Sequence, residues 1–171
     1  MKINNLKSLF AVAAFVLLTI GVNAQKFGYV NSALLLSELP EMKAADSELE
    51  TYQKQLVSQG ESMVKAFEST YQAIAKEVAD GLLSQVQQQA KEVELQKQQQ
   101  EIQAYEVEVQ QKIVKKREEL IQPILDKVKI AIEAVGKENG YTMIFDSVNG
   151  IILHANESDD VIALVKTKLG M

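Results

Sequence analysis

The chain has 171 residues, 47% of them apolar, with 18 basic against 23 acidic side chains and a net charge of −5. That length holds one ordinary domain with an appendage and excludes a pair of enzyme-sized domains. Cys and Trp are absent and His154 is the single histidine, which excludes disulfides and thiol chemistry and argues against most metal and acid–base machinery.

Residues 1–24 hold 16 apolar positions, opening on Met1, Lys2 and Lys7, running apolar from Leu9 to Val22 and ending Val22-Asn23-Ala24. A basic start, a short apolar middle and small residues at the end form a secretory signal peptide. Cleavage is expected after Ala24. Without Lys2 and Lys7 the mature chain has 16 basic and 23 acidic residues, a net charge of −7. Such a balance argues against nucleic-acid binding, which relies on Lys and Arg neutralising phosphates.

Lys26-Phe27-Gly28-Tyr29-Val30-Asn31 is aromatic and β-branched and predicts a strand, followed by a short helix over Ser32 to Leu39. Between Pro40 and Pro123 lie 82 residues with only two glycines, Gly60 and Gly81. An interval so poor in helix breakers and so rich in Ala, Leu, Glu, Lys and Gln predicts helix nearly throughout. Val78-Ala79-Asp80-Gly81 reads as a helix end, and Ser84-Gln85-Val86-Gln87 has the spacing of a capping box. Residues 41–123 thus predict an antiparallel helical hairpin with its turn near 80–84, each arm about 60 Å long.

On the first arm Met42, Ala45, Leu49, Tyr52, Leu56, Met63, Phe67, Ile74 and Val78 form a seam with a gap at Gly60. The second arm offers a thinner stripe through Leu95, Ile102, Val109, Ile113, Leu120 and Ile124, within a tract holding eleven glutamines between residues 85 and 111. Gly60 and Pro123 are the expected points of bending.

After Pro123 the helical pattern continues to Val135 and stops at Asn139-Gly140. Tyr141 to Asp146 predicts a strand, Asn149-Gly150 a tight hairpin turn, and Ile151 to His154 a returning strand. A last helix is expected to be capped by Asn156 or Ser158, with Asp159 and Asp160 in its first turn. The fold class is therefore α+β. Residues 25–40 and 124–171 form a small body, held too weakly by its own core to be comfortable alone, and the hairpin is inserted between them.

The terminal segments carry a family resemblance. Phe27-Gly28-Tyr29-Val30-Asn31, Tyr141-Thr142-Met143-Ile144-Phe145-Asp146 and Asn156-Glu157-Ser158-Asp159-Asp160-Val161, with the signal and hairpin, make the chain similar to the OmpH/Skp family of periplasmic chaperones. The resemblance implies a homotrimer whose strands close a barrel while the hairpins enclose a cavity. It implies a holdase of unfolded outer-membrane β-barrel proteins. The composition points away from an enzyme or a cofactor, and the lack of a phosphate loop makes any chaperoning independent of ATP. Phe27, Tyr29, Val30, Met143, Ile144, Phe145, Ile151, Ile152 and Leu153 are the expected trimer body. Met63, Phe67, Tyr71, Leu82 and Leu83 are candidate client contacts, although the first three could equally pack the seam. Well-known members are strongly basic, so the net charge of −7 speaks against carrying over contact with lipopolysaccharide or anionic membranes. A structural or adaptor coiled coil of the envelope is the alternative reading.

Other charged groups have plainer explanations. His154 has no second histidine with which to hold a metal, and Asp159 and Asp160 suit a helix start. Lys112, Lys115, Lys116 and Arg117 alternate with Glu118 and Glu119 as a solvated helix face. No phosphate loop or nucleophile motif is present.

Overall fold

Two long helices dominate the computed structural model, which describes residues 25–171. The expected signal peptide and its cleavage site after Ala24 lie on residues 1–24, outside the described residues. The elements in chain order are β1 (Lys26–Val30), α1 (Ser32–Glu38), α2 (Pro40–Ala79), α3 (Gln85–Glu138), β2 (Tyr141–Asp146), a single 3-10 turn (Glu157–Asp159) and α4 (Ile162–Leu169).

Local chemistry sets the boundaries. Asn31 caps α1 by accepting from the Leu34 amide, and Pro40 opens α2 where a missing N–H costs nothing. Gly81 takes up a φ of +67° in the turn. Ser84 then starts α3 with the full capping box: its hydroxyl accepts from the Gln87 amide, and the Gln87 side chain accepts from the Ser84 amide at 2.8 Å. The 40 residues of α2 extend about 60 Å and the 54 of α3 about 81 Å. Helix α3 runs unbroken through Pro123 into the body. The proline leaves the Glu119 carbonyl without its helical donor.

Strands β1 and β2 pair in parallel, Phe27 with Met143, Gly28 with Ile144 and Tyr29 with Phe145. On the far edge of β1, Tyr29 bridges Asp160, and the Val161 amide donates to the Tyr29 carbonyl at 2.9 Å. The core joins Val30, Leu35, Leu39 and Ala45 to Ile124, Val128, Ala131, Val135, Val161 and Val165. Both ends of the described chain and the roots of both long helices therefore share one apolar centre. Burial of side chains such as Leu35 and Leu39 contributes roughly 1.5–3 kcal/mol each.

Two expectations are corrected. Ile151 to His154 forms no strand: Ile151 and Leu153 are 74% and 95% exposed and pair with no ladder. A type I′ turn at Asn149-Gly150 needs positive φ at both residues, and only Gly150, at +65°, adopts it. The last helix starts at Ile162, not beside Asn156 or Ser158. Asp160 lies before it and accepts from the Ile162 amide at 2.8 Å, while Glu157–Asp159 make the separate 3-10 turn.

Candidate interaction surfaces

The hairpin seam is built by α2 and α3 in register. Leu56, Ile74 and Tyr105 are its buried side chains beyond the core. The Tyr105 ring lies against Gly60, where an added Cβ would stand 3.4 Å from its Cε1. Its hydroxyl donates to the Leu56 carbonyl at 3.0 Å. The apparent gap at Gly60 is thus filled from the other arm. Gln98, also in the seam, has a buried Oε1 with no hydrogen-bond partner.

Charge pairs cross between the arms near the body. Glu41 meets Lys127 at 2.5 Å and Glu48 meets Lys116 at 2.6 Å. The hydrogen bond from Lys127 holds the Glu41 carboxyl below its ordinary range, and that from Lys116 to Glu48 raises the lysine. Within α3, Lys112 pairs with Glu108 and Lys115 with Glu119. The three lysines of the basic run are therefore spent on neighbours along and across the hairpin. In the body, Lys166 pairs with Glu38 and Lys168 with Glu138 at 2.5 Å.

The sheet is apolar on both faces. Gly28, Val30 and Ile144 turn toward the helices, whereas Phe27, Tyr29, Met143 and Phe145 form the opposite face. Phe27 and Phe145 stack with ring centroids 6.2 Å apart at 45°. The segment from Ile151 to Asn156 borders this face and leaves an apolar cleft of about 470 Å³. Ile152 and His154 line it. Burial, followed by the carboxylates of Asp160, Glu157 and Asp159, pushes the Tyr29 phenol above its usual pKa.

The two groups of sequence-derived candidates are placed differently. Of the body residues, Val30 is buried, while Phe27, Met143, Phe145, Ile151 and Leu153 stand open to solvent. Of the hairpin residues, Met63 and Phe67 are half-buried in the seam, and Leu83 is half-buried at the turn. Tyr71 and Leu82 are exposed. Tyr105 escaped sequence reading, although it lies three residues after Ile102 and four before Val109, on the seam period. Among the described residues no group of three His, Cys, Asp or Glu side chains gathers as a metal site, and no helix is long and apolar enough to cross a membrane.

The sequence matches the family described as outer membrane protein (OmpH-like) over residues 26–169, from the first strand to the last helix. The chain belongs to the OmpH-like family. Its fold is similar to the crystal structure of an OmpH-like protein from Caulobacter crescentus CB15, assigned as an outer membrane chaperone. The TM-score is 0.73 at 15% identity, covering 87% of this chain and 86% of that one. No curated protein matches the chain. The family match runs through the hairpin and both of the strands that flank it.

Proposed function

We propose that the protein is a periplasmic, ATP-independent holdase that keeps unfolded outer-membrane β-barrel proteins soluble between the hairpin arms of a homotrimer. The observation that carries this reading is the open apolar sheet face of Phe27, Tyr29, Met143 and Phe145 beside a long projecting hairpin in an OmpH-like chain. An open apolar face on a small body calls for partners. A second and third copy would cover it and pair the free edge of β2. Residues 25–40 and 124–171 then act as the assembly body, with Ile151, Ile152 and Leu153 contributing to its contacts.

Residues 41–123 act as the client arm. Tyr71 and Leu82 offer exposed apolar contacts along it and at its tip. Pro123 is where the arm would yield, while the Tyr105 ring steadies it at Gly60. Many weak contacts inside a shared cavity hold a client by avidity rather than by one tight pocket. No catalytic step and no cofactor enters.

The test is dilution of a urea-unfolded outer-membrane β-barrel protein into buffer containing the mature protein, followed by light scattering with and without ATP. Near-stoichiometric suppression of aggregation, unchanged by ATP, is the expected result. Unaltered aggregation, together with capture of one folded envelope partner, would favour the adaptor reading instead.

A further inference from the structure

Helix α3 carries a second apolar period outside the seam. Val86, Val93, Val107 and Val114 are between 62% and 75% exposed. They stand seven residues apart, except that Gln100 takes the place between Val93 and Val107. The seam side of α3 includes Lys91, Leu95, Gln98 and Ile102, all at least partly buried. Val93 falls two residues after Lys91 and two before Leu95, which puts the valine row on the side turned away from α2. Seven residues advance about 10.5 Å, so the row extends about 42 Å. Helix α2 repeats the spacing at Val57, Val64, Tyr71 and Val78, each exposed.

A lone exposed apolar side chain needs no explanation, but a regular row of them on a glutamine-rich helix does. Valine is a poorer helix former than the Gln, Glu and Lys around it. These positions gain no packing against α2 in return.

The spacing also selects the occupant. A docked helix or a second copy needs two apolar positions per heptad, and this row supplies one. Contact through it alone would fall well short of the ~1,200 Å² that a stable complex buries. An unfolded chain has no such requirement. Extended polypeptide advances about 3.4 Å per residue, so roughly three residues span one step of the row, and a small slide brings an apolar side chain to each valine.

We infer that the valine row of α3 is the surface on which an unfolded, apolar-rich polypeptide is held, through repeated single contacts that together give useful affinity. This rests on the holdase reading and locates its contact surface on the back of α3 rather than at Met63 or Phe67.

Two variants test it: the quadruple V86Q/V93Q/V107Q/V114Q, and Gln100→Val, which fills the vacant step. The readout is the Kd for a fluorescently labelled, urea-unfolded β-barrel protein, alongside helicity and sedimentation. The quadruple variant is expected to bind at least about fivefold more weakly with helicity and sedimentation unchanged, and Gln100→Val about twofold more tightly. Binding within twofold of the unaltered protein by the quadruple variant would overturn the inference and leave the holdase reading standing. A change in oligomeric state instead of affinity would also overturn it, marking the row as an interface between copies. Should the quadruple variant lose helicity, Gln100→Val decides alone, and no gain in affinity counts against the row. Failure of the unaltered protein to bind at all would sink the holdase reading itself.

Discussion

The Tyr105 hydroxyl reaches across the hairpin to the Leu56 carbonyl at 3.0 Å, the carbonyl one helical turn before Gly60. The ring packs over Gly60 and fixes where α3 lies on α2. Tyr105→Phe removes only the hydrogen bond, because the carbonyl retains its helical donor. It should destabilise the protein by about 0.5–1.5 kcal/mol. Tyr105→Ala also empties the space and should cost about 3–5 kcal/mol. Thermal melts followed by far-UV circular dichroism measure both, and equal effects would contradict the anchoring role of the ring.

Two glycines should respond to alanine with opposite signs. At Gly60 a Cβ meets the Tyr105 ring at 3.4 Å, an ordinary contact, so Gly60→Ala should stabilise by about 0.5–1 kcal/mol through helix propensity. At Gly28 a Cβ would stand 2.9 Å from Tyr141 Cε1 and 3.0 Å from Val161 Cγ1. Gly28→Ala should therefore destabilise by about 1–3 kcal/mol. Chemical denaturation of the two variants in parallel checks the contrast.

Asp146 ties the end of β2 to the start of α1. Its carboxylate accepts from the Ser32 hydroxyl at 2.5 Å, the Ser32 amide at 3.3 Å and the Val148 amide at 3.1 Å. Desolvation raises its pKa, but these hydrogen bonds outweigh it and hold the group below the ordinary value. A lowered native pKa gives stability that is complete above about pH 4 and is lost as pH falls through the native value. Melting temperature should therefore decline on acidification below about pH 4, and Asp146→Asn should flatten that part of the profile.

Phe145→Glu places a charge on the open sheet face, opposite Tyr29. If that face gathers three copies, sedimentation of the mature variant should shift from roughly three chain masses toward one, with helicity largely retained. An unshifted trimer would move assembly elsewhere.

The hairpin should be unevenly protected. The root has the cross-arm pairs Glu41–Lys127 and Glu48–Lys116 and the Tyr105 anchor. Beyond it, the orphaned Gln98 oxygen lies in a seam whose one further buried side chain is Ile74. Hydrogen exchange is expected to be fastest across residues 61–100 and slow in α3 from Ile124 to Val135. Deleting residues 61–102 removes the outer part of both arms together with the turn, and with them Val86 and Val93, and should leave a folded, trimeric body that holds clients much more weakly. Full holdase activity in the shortened protein would place client binding in the body.

Features set by neighbours in sequence were legible in advance. The long helices, the Ser84–Gln87 capping box and β2 follow from composition, spacing and local hydrogen bonding. Features set by the opposite arm were not. An apolar heptad count passes from Leu56 to Met63 and treats Gly60 as a gap, because a glycine filled by a distant tyrosine has no local signature. Gln98 and Lys91 occupy seam positions that a hydrophobic count skips. Ile151 to His154 reads as a strand by composition, yet a strand exists only where a ladder partner does. The valine row of α3 is plain in the sequence only after the seam is known, since exposure distinguishes it from core.

The parallel pairing of β1 with β2 joins segments far apart in the chain; Ser32 and Asp146, bonded at its edge, are 114 residues apart. In a chain that emerges amino terminus first, β1 must wait for nearly everything else. Closing so long a loop directly is entropically unfavourable. Helices α2 and α3 shorten the search: zipping from the Asp80–Ser84 turn toward the root brings Pro40 and Ile124 together and leaves only short tethers to each strand. The arm therefore does for the body what a shorter linker would, cutting the length of chain that must close before β1 meets β2.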